Sequence, residues 1–305
     1  MRLTVLTPDR DVHTGDLTAS CMRAVRHRWN GESSTEIAQA TLRGLLFARA
    51  TELILCDDVP ADTAATEALT DVRMTCERDG QTISEGATRA IPEILEHVGQ
   101  ALARWDDCMV HLGGGERPIV IGCELPIRFE IDVDGVVQPI ASHIDILLRQ
   151  PRTGTYVIAD TKWREEAPTQ AYLTRNLQFA TYWLGSQLGS IRFPNGHWYS
   201  VGEAKLAWVH ASYLRPVGRA VSWVDHETGE KHELKKGDAR PMDKVVRWVP
   251  HSRMAKGRAV AEIADRVRMM RAGFFPTNPD PVGCHLCPCE QWCDRFDISA
   301  AGGGA

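Results

Sequence analysis

The chain is predicted to be a mixed α/β protein, a short sheet layered between helices. Helical apolar spacing runs through most of the first 110 residues, strand-like alternation replaces it from residue 118, and a long helical pattern returns after residue 252. The length of 305 residues is ample for a sizeable core. With 43 % hydrophobic and 25 % charged residues, the composition excludes disordered, collagen-like and membrane-embedded classes. No apolar run approaches the roughly 18 residues of a membrane span. The opening MRLTVLTPDRDVHTGD meets acids before any apolar region forms, so no signal peptide is expected and the cytoplasm is the expected compartment. A formal net charge of -5 argues against a uniformly basic coat but leaves room for a local basic groove.

The first twenty residues read as a short strand or loop, and LTASCMRAVRHRW as a helix over 18–29 with Thr18 or Ser20 as N-cap. NGESS breaks the chain, and 34–55 reads as a strong helix. Residues 57–72 look like a loop and a helix, 91–105 like an amphipathic helix, and HLGGGERP like a turn. IVIGCELPIRFEIDVDG alternates and is rich in β-branched residues, which predicts strands closing at Asp134-Gly135. Further strands are expected over 142–148, 155–163 and 207–213, with a helix over 169–188 between the last two. A hairpin is expected within 222–248 and a basic helix over 252–272. The tail ends in AGGGA and is expected to be disordered over 297–305.

Two constellations carry chemistry. SHIDILLRQPRTGTYVIADTKW places Asp145 on one strand and Asp160 with Lys162 on the next. Period two puts Asp160 and Lys162 on one face, and a short hairpin brings Asp145 beside them. Paired carboxylates are hard-oxygen ligands for Mg²⁺ or Mn²⁺, which polarises a phosphoryl oxygen and acidifies water. A lysine beside them can orient that water and stabilise developing charge. Asp-x-Lys alone is a common strand-end pattern. The apolar settings TYVIA and HIDILL set this one apart, because charge seldom sits there unless paired or ligating. Glu124, on the preceding strand, could add a carboxylate or be a strand-edge charge.

The second constellation is CHLCPCEQWC, in which Cys284, Cys287 and Cys293 follow C-x2-C-x5-C. Nine cysteines, an odd number, in a chain of this size without an export signal point to metal ligation rather than disulfides. The spacing suits a soft metal centre one ligand short of four, with Cys289 or the distant Cys21 to complete it.

The Asp145, Asp160-x-Lys162 pattern is followed by a helix carrying Gln178 and Tyr182, one turn apart. Together these resemble the RecB-like branch of the PD-(D/E)xK nucleases, with its restriction-endonuclease-like core. The resemblance runs from Cys21 to Cys293. It implies that Asp145 and Asp160 hold the catalytic metal, that Lys162 activates water, and that Gln178 and Tyr182 lie over the site. The cysteines resemble the iron–sulfur staple of Cas-four-type and AddB-type nucleases. That implies a [4Fe-4S] cluster on Cys21, Cys284, Cys287 and Cys293, with zinc as the other metal the ligand set admits. The resemblance further implies one nuclease domain over 1–300. Its parts would be a helical part at 18–110, a catalytic sheet and helix at 118–215, and a hairpin, basic helix and staple at 216–296.

The implied activity is a Mg²⁺- or Mn²⁺-dependent DNA exonuclease acting on single-stranded ends, in recombination, repair or phage DNA metabolism, with possible recombination or integration partner proteins. The rivals are a catalytically weak or inactive iron–sulfur DNA-binding accessory protein and a zinc-stapled endonuclease. The chain departs from the family where an early helix usually carries a histidine: the matching position is Ala48, and His27 and His111 are the possible substitutes. For substrate contact, residues 244–271 hold eight Lys and Arg against two acids, and Arg23, Arg26 and Arg28 could join them. Trp29, Trp163 and Trp183 could stack on bases, though core packing is the commoner use of tryptophan.

Overall fold

The computed structural model describes residues 11–17, 22–31, 35–103, 105–163, 168–211, 218–224, 231–238, 246–250 and 253–275. The chain enters through β1 (Val12–His13), α1 (Thr14–Leu17) and α2 (Met22–Trp29). A helical layer follows: α3 (Gln39–Cys56), α4 (Ala61–Arg78), α5 (Glu85–Arg89), α6 (Ile91–Leu102) and α7 (Trp105–Leu112). Beside it, β2 (Glu36–Ile37) and β3 (Thr82–Ile83) pair in parallel. Leu42, Leu46, Ala50 and Leu53 form the buried stripe of α3. It packs on α4, whose stripe of Ala64, Ala65 and Ala68 is small enough to admit close approach. The expected loop and helix over 57–72 is therefore mostly one 18-residue helix reaching Arg78.

The sheet is built on a long ribbon of β4 (Ile119–Val133) and β5 (Val136–Arg149). They join at Asp134 (φ 58°) and Gly135 (φ 78°), the left-handed pair that a two-residue hairpin turn requires. Then come β6 (Tyr156–Trp163), α8 (Gln170–Arg175), α9 (Leu177–Leu188), β7 (Ser190–Arg192), β8 (Trp198–Tyr199) and β9 (Lys205–Ala211). The chain continues with β10 (Val221–Val224), β11 (Lys231–Leu234), β12 (Val246–Trp248) and α10 (Arg253–Arg271). The strand order is β12-β9-β6-β5-β4-β7-β8, with β1 also on β5. Pairing along it is antiparallel except for β6 with β9, which α8 and α9 connect, and β1 with β5. This is the expected mixed α/β architecture, a mostly antiparallel sheet flanked by helices.

Three local differences have plain causes. The helix expected over 169–188 breaks at Asn176, whose side chain accepts from the backbone N–H groups of Gln178 and Phe179 and so caps α9 instead of continuing α8. The hairpin within 222–248 is β10 with β11 alone, because β12 pairs with β9. The strands β7 and β8, three and two residues long, are too short to show alternation in sequence. α9 lies unusually close to the sheet. A Cβ on Gly185 would stand 2.5 Å from Ile127 Cδ1, and one on Gly189 would collide with the carbonyl oxygen of Arg128. That proximity sets the reach of the polar side chains α9 sends toward β6.

Candidate active site

The site lies where two central strands part. Pairing of β5 with β6 runs from Arg149·Tyr156 to Ile146·Ala159 and stops, while β6 continues beside β9 to Trp163. Farther along the same edge, β5 pairs with β1 at Ile140 and Ala141. Asp145 and Asp160 are the first residues past the last β5–β6 pair. Side chains bridge the fork. Asp145 Oδ2 accepts from the backbone N–H of Thr161 at 2.8 Å and from its hydroxyl at 3.0 Å. The Tyr182 hydroxyl donates to the carbonyl of His143 at 3.0 Å. Polar groups of the split ladder thus find partners, as buried backbone must.

The ribbon also changes face here. Ile146 and Leu148 pack with the α3–α7 layer, whereas Ile144 packs with Leu125, Ile127 and Tyr182 on the α9 side. Strict alternation would put Ile144 and Ile146 on one face. The inversion falls at Glu124 and Asp145, between the pairs Cys123·Ile146 and Leu125·Ile144. Glu124 accommodates it with φ 49°, a left-handed conformation that costs a residue with a Cβ. The consequence is that carboxylates reach the fork from both sides of the sheet.

Asp160 is fully buried, and its two oxygens have different environments. Oδ1 accepts from Lys162 Nζ at 2.7 Å and Gln178 Nε2 at 2.9 Å, with the Tyr182 hydroxyl at 3.4 Å. Oδ2 has no hydrogen-bond partner among the described residues. Gln178 Nε2 spends its other hydrogen on the Tyr182 oxygen at 2.7 Å, so the amide is locked by two acceptors. Lys162 Nζ stands 3.9 Å from Asp145 Oδ2. Burial, and next the charge of Asp145, lift the Asp160 pKa to about 7 despite the opposing lysine. Burial and the Asp160 charge push the Tyr182 phenol well above its usual range, so it stays a donor.

Of the residues expected at the site, Asp160, Lys162, Gln178 and Tyr182 therefore share one hydrogen-bonded cluster, Asp145 joins it through the Lys162 charge, and Glu124 borders it. The Glu124 carboxyl keeps solvent contact. Even so, partial desolvation, then the charge of Asp145 and then Glu52, raise its pKa to about 7, while Lys162 opposes. Glu52 was not anticipated. It lies on α3 one turn after Ala48, on the helix the histidine was expected to occupy, and it also pairs with Arg49 at 2.6 Å. The clue in sequence was an acid in the apolar run ATELIL.

Several expectations fall elsewhere. Cys21, Cys284, Cys287, Cys289 and Cys293, and the side chains of Arg23, His27 and Trp163, lie outside the described residues. His111 accepts from Trp248 Nε1 at 3.2 Å, on α7, and is engaged there. The basic helix α10 uses its last arginines internally. Arg268 grips Asp134 at 2.8 Å, and Arg271 donates to Val133 O, Val136 O and Gln138 Oε1, clamping the β4–β5 turn. The side chain of Trp29 meets Phe275 edge-on, and Lys256 Nζ sits 3.5 Å over the Trp183 ring. These uses favour packing over base stacking for both tryptophans.

Among the described residues no three His, Cys, Asp or Glu side chains form a ready-made metal cage. A hard cation that keeps much of its water and takes one or two carboxylates plus substrate needs no such cage. Oδ2 of Asp160, buried and without a donor, is the kind of oxygen such an ion would satisfy. The carboxylates of Asp145, Asp160, Glu124 and Glu52 also outnumber the one lysine among them. The residues present fit a divalent cation.

A mixed sheet that splits around two carboxylates and an Asp-x-Lys lysine is an arrangement suited to metal-assisted phosphodiester hydrolysis. The chain belongs to the PD-(D/E)XK nuclease superfamily, whose family model matches residues 20–294. No protein of curated function matches it. Among solved structures, one described as the crystal structure of SSO0001 aligns over 95 % of this chain and 89 % of its own, at 14 % identity and a TM-score of 0.38. A likeness at that level contributes nothing to the assignment. No described helix is long and apolar enough to cross a membrane.

Proposed function

We propose that the protein is a Mg²⁺- or Mn²⁺-dependent deoxyribonuclease that removes nucleotides from single-stranded DNA ends. The observation that carries this is the unsatisfied Oδ2 of Asp160 in a carboxylate-rich fork. Asp145 and Asp160, with Glu124 beside them, would hold the cation, whose chemistry is to polarise the phosphodiester and acidify water. Lys162, 2.7 Å from Asp160, holds a positive charge where negative charge develops, and orients the attacking water. Gln178 and Tyr182 are positioning residues: they fix Asp160 Oδ1, which leaves Oδ2 for the cation.

The C-x2-C-x5-C run, with Cys21, supports a [4Fe-4S] staple tying the first helix to the tail within a single domain. Thiolate ligation would then contribute folding energy. Recombination or integration proteins are the partners such an activity would serve, in the cytoplasm.

The test is degradation of end-labelled single-stranded DNA with Mg²⁺ or Mn²⁺, beside Asp160→Ala and Lys162→Ala. Activity lost in both variants supports the reading; equal degradation by all three proteins removes it. Closed circular DNA separates exonuclease from endonuclease. Anaerobically purified protein should absorb at about 400 nm, the charge-transfer region of iron–sulfur clusters, and a colourless zinc-loaded protein would replace the cluster assignment.

A further inference from the structure

We propose that the exposed face of the β4–β5 ribbon, from Trp198 through Arg128 and His143 to Asp145, is the track along which a single DNA strand reaches the carboxylates. This rests on the nuclease reading and deepens it by placing the substrate. Ile127 and Phe129 turn toward the α9 side, so Arg128 between them faces the other way. Its partner across the ribbon is Ala141, and Pro126 opposite His143 is the next pair with the same facing. The next residues along the ribbon are Glu124 and Asp145, between the pairs Leu125·Ile144 and Cys123·Ile146, where the facing inverts, so this face ends at the catalytic carboxylates. Ala141 stands four residues from Asp145, roughly 13 Å along a strand.

At the far end of this face is an open cleft of about 830 Å³, lined by Arg128, His13, Arg28 and Trp29 with Asp11 and Asp16. Its arginines are paired with its acids, yet the cleft presents cations. Arg28 exposes 37 % of its side chain against 10 % for Asp16, and Arg128 61 % against 31 % for Asp11. The acids are the more buried partners and orient the guanidinium groups, Arg28 also donating to the Gly15 carbonyl, and the exposed part of each arginine is where phosphate oxygens would lie.

Aromatic surface adjoins the cations. Trp198 is 41 % exposed on the two-residue edge strand β8, with the Arg128 guanidinium 5.8 Å from its ring centroid. Tyr199 beside it is equally exposed. A duplex hides its base faces, whereas an unpaired base can stack on such a ring. Cations interleaved with exposed aromatics are thus the signature of a single-strand site.

The experiment measures anisotropy of a labelled oligothymidylate of about 20 nucleotides, longer than the roughly 4–16 nucleotides a comparable site covers. The full chain is used in EDTA, so that no cleavage intervenes. Arg28→Gln with Arg128→Gln should weaken binding at least tenfold and reduce the salt slope by about 1.4, the value for two lost phosphate contacts on a single strand. Trp198→Ala, at an exposed position that leaves the fold intact, should weaken binding about tenfold with the slope unchanged. Unchanged affinity in both variants overturns the track, as does a duplex bound as tightly as the single strand.

Hydrolysis of bis(4-nitrophenyl) phosphate with Mn²⁺, a diester too small to span the cleft, reads the carboxylate site alone. If the track is wrong, that hydrolysis persists while the variants bind DNA like wild type. If the nuclease reading is wrong, hydrolysis is absent while the binding losses remain.

Discussion

Replacing Asp160 by Asn isolates the free energy stored in the fork. Asparagine keeps an oxygen for Lys162 and Gln178, removes the charge, and puts an amide NH2 in place of Oδ2. The carboxyl is fully buried, and its pKa rises from 3.8 to about 7 on folding. A carboxylate raised in this way destabilises the fold once it ionises. Below pH ~4 both folded and unfolded states carry the proton and the group is neutral in effect. Between pH ~4 and ~7 the folded state holds more protons, so stability falls as pH rises, and above pH ~7 the whole penalty is present. Its size is up to about 4 kcal/mol. In metal-free protein at pH ~8, Asp160→Asn should therefore melt higher than wild type, by up to about 6 °C for a chain of 305 residues, and the gap should close toward pH ~4. Mn²⁺ should stabilise wild type more than the variant, which keeps Asp145 and Glu124 but has lost the Asp160 carboxylate. The assay is thermal unfolding by circular dichroism across pH, with EDTA and with Mn²⁺. A variant that melts below wild type at pH ~8, or a gap that does not change with pH, would refute the buried-charge account.

Two other outcomes follow from contacts in the same region. Tyr182→Phe removes the donor to the His143 carbonyl and one of the two acceptors that lock Gln178. Urea unfolding should show a loss of about 1–3 kcal/mol, and single-turnover cleavage should slow with the Mn²⁺ requirement raised. Gly189→Ala forces a methyl into the Arg128 carbonyl, which lifts α9 off β4 and draws Gln178 away from Asp160. It should cost about 1–3 kcal/mol in urea and lower activity by more than its effect on folded fraction explains.

Sequence and structure meet most closely where chemistry is local. Asp160 and Lys162 share a face by period two, Gln178 and Tyr182 share one by a single helical turn, and the Asp134-Gly135 turn follows from its residue types. All of these are short-range. What sequence did not show depends on distant pairing. Glu52 nears the fork only because α3 packs across the sheet, and β1 reaches the edge of β5 from more than a hundred residues away. The basic stretch over 244–271 reads as a surface for phosphate, but two of its arginines are spent on the β4–β5 turn, a use no charge count reveals. Nothing in sequence singles out Trp198 and Tyr199, because their strand is only two residues long.

Glu124 shows why the fork needs an irregular strand. In a regular ribbon, Asp145 and its opposite neighbour would share a face with every second residue, and the helices on that face would cover both. The inversion at Glu124 frees the pair to open between the α3 layer and the α9 layer, at the price of a left-handed glutamate. Asparagine tolerates that conformation better than glutamate does. Glu124→Asn also removes a carboxyl whose pKa is lifted to about 7 by partial desolvation and by Asp145. Metal-free protein at pH ~8 should then gain about 1 kcal/mol in urea unfolding from relief of backbone strain. Cleavage should fall at least about tenfold at fixed Mn²⁺ and recover in part at higher Mn²⁺, as expected of a lost contributor to the cation site. If the variant is less stable and cleaves like wild type, the left-handed glutamate is held there by packing rather than for chemistry. The face inversion would then belong to the fold of the ribbon alone.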